Sequence, residues 1–203
     1  MNTFHKIPPT LSTNIKRRSR YGNYKDDLVR DFHHCCGYCD DSDLYIGGKR
    51  FYQIDHFAPK SLFAELENEY SNLVYSCPFC NRAKSNKWLG TTSTENIVDN
   101  KGFINPHDPD YGNHLKRDND GKIIPLDTIG EYMYNELNLG LVRHQIIYKL
   151  DIIFKKLEDL KRKIKLKQQN KQTNDSEYTP LLETYFLITT DFFDYYLNLN
   201  REH

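Results

Sequence analysis

The sequence predicts an α+β fold: a small mixed core clamped by paired cysteines, with a basic arm before it and a pair of long helices after it. Three observations carry this. Two C-x-x-C pairs, Cys36/Cys39 and Cys77/Cys80, bracket short strand-like runs. From Leu141 the apolar residues switch to helical spacing. Residues 1–22 are polar and basic, with no periodic apolar pattern. The expected divisions are a flexible basic arm over 1–22, a core with a loop and hairpin extension over 23–127, and a helical region over 128–203.

In chain order, a short helix from about Tyr24 to His34 would place Leu28 and Phe32 on one face. Residues 44–55 (LYIGGKRFYQID) read as two short strands turning at Gly47-Gly48. Residues 62–70 add a helical turn or two, and Asn72 to Ser76 (NLVYS) reads as a strand. Pro78 suits a first helical position, so a helix should run from there to about Trp88. Residues 90–127, rich in Asn, Asp, Gly and Pro, read as loops. Within them a short hairpin pairs His114–Lys116 with Lys122–Ile124 around Asp120-Gly121. Ile146, Ile147, Leu150, Ile153, Phe154, Leu157, Leu160 and Ile164 then mark one long amphipathic helix. After a polar break at 168–180, Leu181, Leu182, Tyr185, Ile188, Phe192, Phe193 and Tyr196 mark a second.

The chain has 203 residues and a formal net charge of zero, from 28 basic and 28 acidic residues. Nucleic-acid binders are commonly basic overall, but here the charge is segregated. Residues 1–30 hold seven Lys/Arg against two acids, and residues 155–171 hold eight against two. The last thirty residues hold six acids and one Arg. Local patches steer a polyanion even when the sum is zero, although a charge run is as readily a solvated face. No long uncharged apolar run suits a membrane span. The first ten residues lack an apolar signal core, so a cytoplasmic location is expected.

In that setting the cysteines point to metal rather than disulfides. A two-residue spacer lets one tight turn offer two thiolates to one ion, and two such turns complete a zinc tetrahedron. Cys36, Cys39, Cys77 and Cys80 are the expected ligands, with Cys35 a bystander thiol. The 37 residues between the pairs exceed a simple ribbon spacing and contain Asp55-His56. Phosphodiester hydrolysis needs a base for water and a cation for the charge on the phosphate. His56 has the side chain that titrates near neutrality. Asp55 and Asn81 offer hard oxygens suited to magnesium or manganese.

Asp55-His56, Pro59, Asn72-Leu73 and Cys77-x-x-Cys80-Asn81-x-x-Lys84 together resemble the HNH (ββα-metal) endonuclease family, in its version with zinc-binding C-x-x-C pairs. The resemblance covers Cys36 to Lys84. It implies a ββα-metal core with His56 as general base and Asp55 and Asn81 as ligands of a catalytic magnesium or manganese. Asn72 would be the middle Asn, holding the loop and orienting His56. It further implies 5′-phosphate and 3′-hydroxyl products. Arg82, Lys84 and Lys60 are placed to touch phosphate. Many members end the motif with His where this chain has Asn81. The outline is also similar to nuclease subunits of bacterial anti-phage systems such as Septu, which implies DNA (or RNA) as substrate and an ABC-type ATPase as partner. The contrasting expectation is a zinc-ribbon adaptor that binds nucleic acid or protein without cutting. His107, Asp108 and Asp110 form a second polar cluster, which turn formation in a Pro-rich loop explains as well as metal does.

Overall fold

The computed structural model describes residues 4–199, with side chains to Asp194. It divides into two compact units, Met1–Ile147 and Tyr148–His203. The first is organised on an antiparallel ribbon in which β1 (Gln53–His56) pairs with β2 (Leu73–Ser76). Gln53 stands opposite Ser76, and His56 opposite Leu73. All four β2 residues are buried, the continuous pattern of a strand covered on both faces. Helix α1 (Lys25–Asp31) packs on β2 and contributes the buried Leu28 and Val29. Helix α2 (Pro78–Lys84) follows β2 directly, with Pro78 in its first turn, where a missing N–H costs nothing.

Around this centre lie a small ribbon of β3 (Ile97–Val98) and β4 (Lys101–Gly102), and the one-turn helix α3 (Tyr111–His114). The expected hairpin forms one residue further along in each arm, from β5 (Leu115–Arg117) and β6 (Ile123–Pro125). Helix α4 (Thr128–Glu136) opens the stretch expected to be helical, ahead of the periodic apolar pattern that begins at Leu141. Its signal is a cap: Asp127 Oδ1 accepts from Gly130 N–H at 2.7 Å. Tyr24, Phe32, Tyr38, Tyr75, Phe103 and Tyr111 form much of the core.

Three expectations are corrected. Residues 44–50 form two 3₁₀ turns, Asp43–Ile46 and Gly48–Arg50, rather than a strand. Ser42 caps the first by accepting from Leu44 N–H, so a capping signal outweighs the Gly-Gly turn signal, and β1 pairs with β2 instead. Helix α2 stops at Lys84, short of Trp88, because Ser85 takes a left-handed φ of 49°. Trp88 instead meets Phe57 and Phe63 edge-on. Finally, the 1–22 segment is anchored to the core at several of its described residues, while residues 16–20 are exposed. Phe4 and His5 are buried, and His5 Nε2 donates to Gly37 O at 2.6 Å. Ser12 gives both N–H and Oγ–H to Asp31. Leu11, Ile15 and Tyr21 also pack against the core, but these apolar and polar anchors are scattered, so no apolar period announces them.

Helix α5 (Val142–Gln169) starts in the first unit and continues through the second, which also holds α6 (Tyr178–Leu199). In the second unit Leu160 and Ile164 are buried, and Phe154 meets Phe192 edge-on at 5.0 Å. Lys167 closes the connection by pairing with Asp175 and Glu177. Leu182, Phe186, Leu187 and Phe193 are exposed. Most of the 155–171 basic run is solvated, and part of it pairs within α5, Lys155 with Asp151 and Arg162 and Lys163 with Asp159. Among the described residues no helix is long and apolar enough to cross a membrane.

Candidate active site

The four cysteines of the two C-x-x-C pairs are buried, with all sulfurs within 4.8 Å of one another. Cys39 Sγ and Cys77 Sγ stand 3.8 Å apart. Four sulfurs about 2.3 Å from a zinc ion in a tetrahedron have edges of about 3.8 Å, so the donor set fits structural zinc. Cys35 lies outside the group and is only partly buried. Each knuckle is shaped by its own backbone. Cys80 N–H donates to Cys77 Sγ, while Gly37 N–H donates to Tyr75 O and ties the first knuckle to β2. Position 37 admits only glycine without movement, since a Cβ there would stand 2.7 Å from the Phe32 ring and 2.8 Å from Val74 Cγ1. Arg117, Arg143 and His144, later in the unit, close over the four cysteines. Asp41 Oδ2 accepts from Arg143 at 2.9 Å and His144 Nδ1 at 2.7 Å, and Arg117 donates to Cys39 O. With zinc bound, the two guanidiniums would offset the excess negative charge that four thiolates leave around one divalent ion.

The clamp sets α2 along one face of β1. Gln53 and Asp55, two residues apart, share a strand face. Asn81 Nδ2 donates to Gln53 Oε1 at 2.6 Å, and one turn later Lys84 Nζ stands 3.4 Å from Asp55 Oδ2. The two helical residues thus meet the two strand residues pairwise. Asp55 also accepts from Tyr38 Oη at 2.6 Å. Burial pushes its carboxyl above the usual range, opposed by Lys84 and Tyr38.

His56, the next residue, has a different environment. Its Nε2 lies 2.9 Å from Glu67 O, and Tyr21 meets the ring edge-on at 4.7 Å, leaving His56 only 7% exposed. A carbonyl oxygen only accepts, so Nε2 carries the proton and Nδ1 holds the lone pair. Burial lowers the pKa of the imidazole below 6.5, which keeps it neutral at pH 7. Asn72 clamps the intervening loop: its Oδ1 accepts from Ala58 N–H at 2.8 Å, and its Nδ2 donates to Ala58 O and Leu66 O. Phe57 N–H donates to Asn72 O.

Residues 36–87 match the HNH endonuclease family. The match points to nuclease chemistry on nucleic acid, and its bounds enclose both cysteine pairs, Asp55-His56, Asn72 and Asn81. No curated protein matches the chain.

Within the HNH segment one expectation changes. Lys84 is fully buried, so it is not a surface phosphate contact in this structure; its ammonium donates to His56 O at 3.0 Å. Arg82 is exposed on α2. Lys60 is partly exposed, pairs with Glu67 and stands 4.4 Å from the Tyr21 ring centre. His107, Asp108 and Asp110 do not form a metal-ready group among the described residues. His107 contacts Ser71 O, Asp108 shapes the turn, and Asp110 pairs with His114. Sequence reasoning missed Tyr38, Gln53 and Tyr21. Tyr38 was legible in principle, because it lies inside the first C-x-x-C; Tyr21 and Gln53 carry no motif signal.

Proposed function

We propose that the chain is a metal-dependent endonuclease that hydrolyses phosphodiester bonds of DNA, with RNA the less favoured substrate. The observation that supports this most is the pairwise meeting of Asn81 and Lys84 on α2 with Gln53 and Asp55 on β1, under a four-cysteine clamp and beside His56. Asp55 and Asn81 supply oxygen donors from two adjacent elements, suited to magnesium or manganese. When bound, such an ion offsets charge on the phosphate and the leaving oxygen. His56 takes a proton from the attacking water at Nδ1, with Glu67 O fixing its tautomer and Asn72 holding the loop that carries Glu67. Arg82 and Lys60 contact the phosphate backbone.

The near closure of His56 supports a refinement of this reading. Substrate reaches the imidazole only if Tyr21 or the Glu67 loop gives way, which suits an effector that stays quiet until a partner engages it. We assign it to anti-phage defence in the cytoplasm, with an ABC-type ATPase as the partner. The test is cleavage of supercoiled plasmid and of RNA by zinc-loaded protein with magnesium or manganese, alone and co-purified with an ATPase encoded beside it. Nicked or linear DNA with 5′-phosphate ends is expected. Zinc and nucleic-acid binding without cutting in any arm would leave the zinc-ribbon adaptor in its place.

A further inference from the structure

Among the described residues Lys84 is the only lysine or arginine in the set of largest fully buried side chains, at 0% exposure. A buried ammonium is tolerated only where paired and hydrogen-bonded. Lys84 meets that condition at the centre of the site: its Nζ is 3.0 Å from His56 O and 3.4 Å from Asp55 Oδ2, and 5.6 Å from the Phe103 ring centre. Tyr38 donates to the same Asp55 oxygen. The last turn of α2 is also where the helix dipole favours a cation.

We propose that Lys84 is a built-in counter-cation for Asp55. It is a positioning residue that holds the carboxylate in place while no divalent ion is bound, and its own charge sets how weakly the site takes that ion. The inference rests on reading Asp55 as a ligand of the catalytic metal. With Asp55 only 7% exposed, removing every nearby positive charge would leave an uncompensated buried anion. A unit positive charge a few ångströms from the ion's seat opposes a divalent cation by Coulomb repulsion, whatever it does for geometry. The ammonium and the metal therefore compete for one carboxylate, and the protein stays folded in either state.

The test measures manganese binding by zinc-loaded protein, from the spin-resonance signal of free Mn²⁺, together with thermal midpoints in EDTA and in manganese. Lys84→Met should melt lower than wild type in EDTA, recover more on adding manganese, and bind manganese at least ~10-fold tighter. Lys84→Gln, which keeps a donor for His56 O, should behave alike with a smaller loss in EDTA. If neither variant folds in EDTA, folding on manganese addition supports the proposal, and failure to fold there overturns it. Manganese affinity unchanged or weakened in both variants also overturns it. Asp55→Asn separates the two layers. Wild-type manganese binding in that variant removes Asp55 as a ligand and ends the underlying reading. Binding lost in Asp55→Asn but unaltered in the Lys84 variants ends only the role of Lys84.

Discussion

His56→Ala is expected to lower cleavage at least ~100-fold, the lower range for a lost general base, with zinc content close to wild type. The ring contacts Glu67 O and Tyr21 and none of the zinc cysteines, so its loss strips a function before it strips the clamp. The same residue sets the pH profile. Base catalysis needs the neutral imidazole, and burial lowers its pKa below the ordinary 6.5. Cleavage by wild type should therefore rise with pH through a limb centred below 6.5 and be flat through neutrality. An acid limb centred above 6.5, or wild-type-like cutting by His56→Ala, would remove His56 from the role of base.

The second large effect is on stability. Structural zinc supplies about 10–16 kcal/mol to small zinc domains, while a whole domain is stable by only about 5–15 kcal/mol. Cys80→Ser should therefore unfold the first unit, with loss of bound zinc by elemental analysis and loss of the cooperative melting transition. Chelation of the wild type should do the same. Cys35→Ser is the contrast: that thiol lies outside the four-sulfur group and is partly exposed, so its change should stay within about 0.5 kcal/mol. A soluble, zinc-free and fully active Cys80→Ser protein would refute the clamp.

What was legible in the sequence is what is encoded at short range. Each C-x-x-C declares a ligand pair by spacing alone, Pro78 declares a helix start, and the 3.6-residue period after Leu141 declares two long helices. Illegible were features made by contacts far apart in the chain. The Asp41–Arg143 and Asp41–His144 bonds span 102 and 103 residues, and no local pattern pairs them. Lys84 illustrates the same limit. A lysine after Asn81 on a short helix reads as a surface cation, and only the packing of α2 on β1, with Phe103 brought in from a later loop, buries it. The Gly47-Gly48 stretch shows the reverse, a local turn signal overruled by the local Ser42 cap and by the strand that β1 finds in β2.

The central physical claim is that Asp55 and Asn81 hold one divalent ion between β1 and α2. Anomalous scattering from crystals of the zinc-loaded protein soaked in manganese measures this directly. Two separate peaks are expected, zinc among Cys36, Cys39, Cys77 and Cys80, and manganese within about 2.2 Å of an Asp55 carboxylate oxygen and of Asn81 Oδ1. A manganese peak that leaves either residue out of its coordination shell, or no peak beside Asp55, would contradict it.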